Sequence, residues 1–101
     1  MTKMIHQYVM GNVNGQRAKV GVLVGHKDSN DHVSIGWSRA NASKGDKFES
    51  GRGIGLAVER SKATEIVPLP HSMAMDFERF RARCEKYFKS HAPYARLQEQ
   101  S

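Results

Sequence analysis

Alternating apolar residues in the N-terminal part of the chain constrain its fold more than any other sequence feature. Successive side chains of an extended strand point to opposite faces, so an apolar residue at every second position marks a buried face. The pattern predicts strands with one buried face and one lighter, partly open face, and residues 5–10 are a plausible further strand. The alternating residues are Val20, Val22 and Val24 in one stretch and Val33, Ile35 and Trp37 in the next.

Turn-forming residues separate these stretches. Asn14-Gly15 is typical of a tight hairpin, because both residues tolerate the positive φ that such turns need. Residues 28–31 read Asp-Ser-Asn-Asp, which is again typical of a turn. Short turns join strands that run in opposite directions, so this part of the chain predicts an antiparallel meander.

The C-terminal part predicts a helix. Its apolar residues recur at spacings of three and four, with Ser72 as N-cap and an end near Ser90, before Pro93. We therefore expect a single domain over residues 1–91, and a loose tail over residues 92–101 unless a partner subunit holds it. The apolar residues of this helix are Met73, Phe77, Phe80, Cys84 and Tyr87 or Phe88.

Another helix is expected from about Asp46 to Lys62, with Ser43 or Asp46 as its N-cap. Three glycines lie inside it, at positions 51, 53 and 55, and each costs about 0.8–1 kcal/mol relative to alanine in a helix interior. Either the regular helix begins near Gly53, or another group, such as a ligand, needs to approach the backbone closely there. Residues 66–70 are expected to be extended, as a short edge strand. Together these patterns predict an α+β fold, with an antiparallel three- to four-stranded sheet packed by two helices.

Composition bounds the class of protein. Sixteen Lys and Arg oppose ten Asp and Glu in 101 residues, so the net charge is +6. This charge favours a polyanionic partner, a nucleotide or nucleic acid, although it also suits a small protein that only needs solubility. The single cysteine excludes an internal disulfide. With no signal peptide and no run long enough to span a membrane, we expect a cytoplasmic protein without a membrane partner.

The densest functional hint lies between the third strand and the middle helix. Basic residues there surround a glycine-rich helix start, where backbone N–H groups favour phosphate, and an aromatic ring would stack on a base. The alternative is that Trp37 and Phe48 pack in the core and the glycines serve turns. The candidate ligand-binding residues are Trp37, Arg39, Lys44, Lys47, Phe48, Arg52 and Arg60.

Other chemistries lack the residue patterns that they need. Gly51-Arg52-Gly53-Ile54-Gly55 superficially resembles a dinucleotide fingerprint, but a polar loop precedes it instead of a buried strand. The histidines show no recognised ligand spacing, although His26 and His32 could meet across a turn. Cys84 lies on an apolar helix face, as an inert core thiol does. We therefore predict no catalytic set, no metal and no cofactor.

Residues 33–60 resemble small phage and prophage proteins of unassigned function. The shared features are Gly36-Trp37-Ser38, then Asp46-Lys47-Phe48, then Gly53 and a helix ending in Ala57-x-x-Arg60. The resemblance implies an accessory protein that acts in an infected bacterium. Some small phage proteins of this kind are anti-defence sponges, which hold cyclic nucleotide signals between subunits without cleaving them. No binding residue is transferred from them to this chain.

The leading hypothesis is thus a non-enzymatic phage-type accessory protein that binds a phosphate-bearing ligand, with an anti-defence role as what the resemblance implies. That ligand is a nucleotide signal or nucleic acid, and we expect a homo-oligomer. The alternative is an inhibitor that binds a host protein through its sheet edge or its C-terminal helix. A small hydrolase has the weakest support.

Overall fold

Three strands and two helices make up the described part of a computed structural model, which covers residues 3–40, 48–62 and 67–99. The strands form one antiparallel sheet in the order β1-β2-β3. This confirms the predicted α+β fold, with three strands. A short 3₁₀ turn, His71–Met73, precedes the second helix. The elements are β1 (Lys3–Val13), β2 (Gln16–Lys27), β3 (Val33–Arg39), α1 (Ser50–Ser61) and α2 (Ala74–Phe88).

Both predicted turns are present. Asn14 and Gly15 join β1 to β2 with φ values of 53° and 82°, which confirms the hairpin. Between β2 and β3, the Asp28 carboxylate accepts hydrogen bonds from the backbone N–H groups of Asn30 (2.8 Å) and His32 (3.0 Å). Asp31 completes this turn with a φ of 61°.

A β-bulge on β2 changes the predicted faces of the sheet. The register with β1 shifts between Val9 and Met10, because Val20 is an extra residue on β2. Val20 consequently packs in the same cluster as Val9, whereas Val22 and Val24 pack in another. The prediction that the three valines share one face was wrong, since strict alternation ends at the bulge.

Each sheet face packs against its own helix. On the α2 face, Leu23 and Ile35 pack with Phe77 and Phe80 in the larger core cluster. On the α1 face, Val22 and Val24 pack with Ala57. The sequence predicted one buried face and one lighter, partly open face. Because α1 packs on this second face, it is more covered than expected. The two helices lie on opposite sides of the sheet, because adjacent positions along β2 belong to different clusters.

Glycine on β3 lets α1 lie directly on the sheet. A Cβ at Gly36 would collide with the Ala57 carbonyl oxygen and the Ser61 backbone. The Ser38 hydroxyl donates a hydrogen bond to the Gly53 carbonyl at 2.7 Å, which fixes the helix along β3. The helix begins at Ser50 and ends at Ser61, close to the predicted end but later than the predicted start. The N-cap candidates at positions 43 and 46 lie outside the described residues.

The C-terminal segment is hydrogen-bonded to the rest of the domain as far as Gln98, in contrast to the loose tail that we expected. Leu69 N–H donates to the Arg96 carbonyl at 2.9 Å, and Gln98 N–H donates to the Leu69 carbonyl at 3.0 Å. Leu69 therefore bridges Leu97 in parallel, away from the main sheet. Ala92 is fully buried in the larger core cluster. None of the described helices is long and apolar enough to cross a membrane.

Candidate functional site

One strip of the α1 face has no described helix over it. α1 packs against β2 and β3, whereas Met4 and Met10 on β1 keep 45% and 42% of their surface exposed. Four β1 residues point to the same side of the sheet as α1. Three of them pair with β2 residues that point toward α1, and the fourth, Met10, pairs with Lys19 beyond the bulge. The open strip is defined here as Met4, His6, Tyr8 and Met10 of β1 together with Lys19 of β2.

A cation–aromatic cluster occupies the centre of the open strip. The Lys19 Nζ lies 4.1 Å from the centroid of the Tyr8 ring. The Tyr8 ring meets Phe48 edge to face, with centroids 6.1 Å apart, and meets His6 in the same manner at 5.3 Å. Such a cluster presents ring surface and positive charge together, as nucleotide-binding surfaces do.

The start of α1 adjoins this cluster through Phe48. The N-cap residue, Glu49, makes no side-chain capping hydrogen bond, and the first turn holds no acidic residue. Arg52 is exposed in that turn. The N–H groups of a helix's first turn lack partners within the helix and carry its positive dipole end. Together with Arg52 and Lys19, they make this corner of the molecule attractive to an anionic group.

The three glycines of α1 differ in what they do. A Cβ at Gly53 would lie 2.6 Å from Phe48 Cε1, so Gly53 makes room for that ring. Gly51 and Gly55 are exposed, with nothing within 4 Å and no positive φ. Gly51 neighbours Ile54 one turn earlier on the helix surface, and Gly55 directly follows Ile54 in the chain. Ile54 packs against the same cluster as Tyr8. Next to the open strip, α1 therefore presents the Ile54 side chain and, beside it, two glycines without side chains.

Two of the predicted site residues lie together at the outer edge of β3. Trp37 is only 7% exposed, and its Nε1 donates to the Val67 carbonyl at 2.9 Å. The Arg60 guanidinium lies 4.4 Å from the Trp37 ring centroid and donates to the Trp37 carbonyl at 3.0 Å. The ring is thus enclosed in the core, and Arg60 is engaged with it. Trp37 therefore packs as a core residue, which was the alternative interpretation of the sequence.

The remaining predicted residues divide between three places. Phe48 and Arg52 lie at the start of α1, and Phe48 contacts Tyr8 of the open strip. Arg39 is exposed at the end of β3 and pairs with Gly21, which puts it on the α2 face. Lys44 and Lys47 lie outside the described residues.

The sequence reasoning missed the residues that form the open strip. The sequence of the first strand does contain a pattern that indicates this strip, because His6 and Tyr8 occupy every second position between two methionines. Lys19 had no such signal. Strict alternation would put Lys19 on the same face as Gly21, and the bulge at Val20 moves it onto the α1 face opposite Met10.

A cleft of about 650 Å³ lies at the opposite end of the sheet, near the C-terminal end of α2. Three lysines line it, yet Lys27 already donates to the Phe88 carbonyl at 3.1 Å and pairs with Asp31 at 3.2 Å. Asp28 also lines the cleft, and its backbone hydrogen bonds lower the pKa of its carboxyl. Lys27 and Asp28 of this cleft are therefore already engaged with groups of the protein itself.

Two titratable groups away from the open strip have pKa values that burial shifts. Burial raises the pKa of the Cys84 thiol to about 12, which fits the predicted inert core cysteine. Burial lowers the pKa of His26, whose Nδ1 lies 3.4 Å from the Ser61 hydroxyl. Within the described ranges, no group of three or more His, Cys, Asp or Glu side chains has the arrangement of a metal site.

Comparison with known proteins adds no relative to this picture. The chain matches no family model, and no curated protein or solved structure is significantly similar to it.

Proposed function

We propose that the protein binds a phosphate-bearing ligand, a nucleotide signal or nucleic acid, on the open strip beside α1. The observation that carries this proposal is the Lys19 ammonium over the Tyr8 ring, with Phe48 against the same ring at the start of α1. Aromatic surface, a cationic side chain and a helix N-terminus are features that favour the binding of bases and phosphates. They lie within one corner of the molecule.

The ligand replaces an existing contact. A base that stacks on Tyr8 displaces the Lys19 ammonium from the ring face, and the freed ammonium pairs with the adjoining phosphate. Stacking contributes about 1–3 kcal/mol per base. The first turn of α1 and the exposed Arg52 supply further positive potential on the phosphate side.

Exposed glycine on α1 supports the same location. Gly55 lies inside the helix, where glycine costs about 0.8–1 kcal/mol relative to alanine, and no packing requirement explains it. A ligand that lies against the helix wall benefits from the missing side chain. The same reasoning extends to Gly51, one turn earlier.

The proposal revises the roles of the residues predicted from the sequence. Phe48 and Arg52 stay in the site, whereas Trp37 and Arg60 hold the β3 edge and Arg39 lies on the other face. Lys44 and Lys47 remain predicted phosphate contacts, because they precede Phe48 closely in the sequence. The phage-type and anti-defence setting remains a prediction that rests on the resemblance alone.

Binding assays with two probes test the proposal. A fluorescein-labelled single-stranded oligonucleotide and a labelled cyclic dinucleotide are each titrated with protein, and anisotropy is recorded. We expect saturable binding of at least one probe, weakened about 5- to 150-fold by Tyr8→Ala, since lost stacking costs about 1–3 kcal/mol. Tyr87→Ala is the matched control, because Tyr87 is 54% exposed on α2, away from the open strip.

Salt distinguishes the two ligand classes. Binding of an extended strand weakens steeply with salt, in proportion to the phosphates contacted, whereas a compact nucleotide loses less and saturates at a fixed stoichiometry. If neither probe binds, or if Tyr8→Ala and Tyr87→Ala behave alike, the proposed site is wrong.

The inhibitor alternative has weaker support from exposed apolar side chains on α2. Met75 is 69% exposed and Tyr87 is 54% exposed, but they lie near opposite ends of that helix. Capture of a host protein that Met75→Lys abolishes and Tyr8→Ala leaves intact would favour this alternative.

A further inference from the structure

The two edges of the sheet are protected to different degrees. An arginine donates to one outward carbonyl at each edge, Arg60 to Trp37 on β3 and Arg83 to His6 on β1. The β3 edge also has the segment at Val67 alongside it. The β1 edge is eleven residues long and has one charged side chain, Lys3, at its end. It contains no proline, and its register bulge lies on β2 instead. Long edges without charge or proline are templates for another strand.

Strand geometry determines which backbone groups of β1 point outward. Ala40 N–H donates to the Val20 carbonyl across the β2–β3 side, so even-numbered β2 residues direct their backbone groups to β3. Odd-numbered residues such as Leu23 therefore face β1, where Leu23 pairs with Gln7. The outward backbone groups of β1 are consequently those of its even-numbered residues. Arg83 agrees with this parity, because it reaches the outward carbonyl of His6 at 3.2 Å.

The sequence of this edge is chemically symmetric about Gln7. The segment reads Met-Ile-His-Gln-Tyr-Val-Met from position 4 to position 10. On either side of Gln7, one step away lie His6 and Tyr8, and two steps away lie Ile5 and Val9. Both residues three steps away are the exposed methionines.

We propose that two copies of the chain pair antiparallel along β1, with the two-fold axis at Gln7. In this register Met4 faces Met10 of the second copy, and His6 faces Tyr8 of the second copy. These residues are the ones with outward backbone groups, so each of these pairs exchanges hydrogen bonds. Ile5 faces Val9 of the second copy on the α2 face, which keeps apolar next to apolar. The product is a continuous six-stranded sheet.

Arg83 is compatible with this pairing. Its Nη1 also lies 3.2 Å from Gln7 Oε1, so the guanidinium approaches His6 from the α2 face. A carbonyl oxygen has two lone pairs and accepts a second hydrogen bond from a neighbouring strand. Arg83 is exposed, so the core does not enclose its side chain.

Pairing joins the two open strips into one floor between the two α1 helices. β1 and its copy lie one strand spacing apart, about 4.8 Å, and together form a floor about 10 Å wide. The second copy then contributes its own His6 and Tyr8 to a shared trough whose walls carry Gly51 and Gly55. This consequence rests on the proposed function, whereas the dimer itself does not.

Mass measurement in solution tests the interface. Native mass spectrometry and light scattering of the full chain at micromolar concentration are expected to show a dimer. The double variant Met4→Lys with Met10→Lys places like charges opposite each other in both outer pairs, and we expect it to be monomeric. Met75→Lys is the matched control, an exposed methionine on α2 that is expected to leave the dimer intact. A wild-type monomer, or a dimer that survives the double variant, would overturn the proposal.

Cross-linking tests the register without depending on those charges. Two copies of residue 7 meet at the axis as a non-hydrogen-bonded pair, about 4.5 Å apart at Cα, within the range of a disulfide. Gln7→Cys is therefore expected to form a covalent dimer on mild oxidation, and Asn12→Cys on the same strand is not. Native Cys84 is fully buried and does not compete. Equal cross-linking at the two positions, or none at Gln7→Cys, contradicts the register. A cross-linked dimer that binds neither probe would overturn the proposed function and leave the interface standing.

Discussion

Lys19 lies over Tyr8, with 4.1 Å between Nζ and the ring centroid, because of the bulge at Val20. In a regular strand, Lys19 would share the face of Gly21 and point to the α2 side. The extra residue moves Lys19 opposite Met10, onto the α1 face. The bulge therefore produces the cation–aromatic pair on which the proposed site depends.

Removing the Lys19 charge is expected to separate the contribution of phosphate from that of the base. Lys19→Ala weakens binding of a nucleotide by about 1.5–3 kcal/mol if its charge-assisted hydrogen bond is lost. Binding of the matching nucleoside, which lacks phosphate, stays within about twofold of wild type. Calorimetric titration of both ligands checks this, with Lys86→Ala on α2 as the control. Equal losses for nucleoside and nucleotide would contradict a phosphate role for Lys19.

Gly55→Ala is expected to stabilise the protein and to weaken ligand binding. A Cβ there meets nothing within 4 Å, and alanine favours a helix interior by about 0.8–1 kcal/mol. The same methyl group reduces the space that a ligand on the open strip has beside α1. Urea unfolding measures the first effect, and titration measures the second.

Gly53→Ala is the matched control for that experiment, since its Cβ would meet the Phe48 ring at 2.6 Å. It is expected to lower stability. A variant at Gly55 that gains stability with unchanged affinity would show that no ligand approaches this wall.

Stability is expected to fall as His26 becomes protonated. Burial lowers the pKa of His26 below its ordinary 6.5, with Asp28 opposing this effect and Lys62 adding to it. A lowered folded-state pKa means that the contribution is present above the unfolded value and is lost as the pH falls through the folded value. The urea midpoint of wild type should therefore drop more between about pH 7 and about pH 5 than that of His26→Gln. Parallel pH profiles would show that His26 has no such linkage.

The C-terminal segment is expected to contribute to stability. Glu85 accepts a hydrogen bond from Ala92 N–H at 3.2 Å and pairs with Arg81, whose guanidinium lies 3.8 Å from the Tyr94 ring centroid. Deletion of residues 92–101 exposes this part of the core, so we expect a lower melting temperature. A protein shortened after Gln98 keeps the Leu69 bridge and serves as the control. If the variant that lacks residues 92–101 melts at the same temperature as wild type, the segment is not held on the domain.

Local patterns were sufficient for the sheet and for both helices. The turn at Asn14-Gly15 and the apolar spacing around Phe77 each follow from short-range geometry. The bulge at Val20 could not be predicted in this way, because alternation through Val24 looked regular. The packing of residues 92–99 also escaped prediction, since it depends on hydrogen bonds to Leu69 far along the chain.

The candidate site was predicted in part. The start of α1, with Phe48 and Arg52, follows from glycine and charge spacing near a helix terminus. Trp37 looked like a stacking platform, but its place is set by tertiary contacts with Val67 and Arg60. Tyr8 and Lys19 come from two different strands, so only the strand register brings them together.

Amide chemical-shift mapping during ligand titration tests the central claim most directly. A nucleotide or short oligonucleotide is added to labelled protein, and the shifts of assigned amides are followed. We predict that the largest changes fall on Tyr8, Lys19 and the α1 residues from Gly51 to Gly55. Changes confined to the cleft near Lys3 and Lys89, or no changes at saturating ligand, would contradict the assignment of the open strip as the binding site.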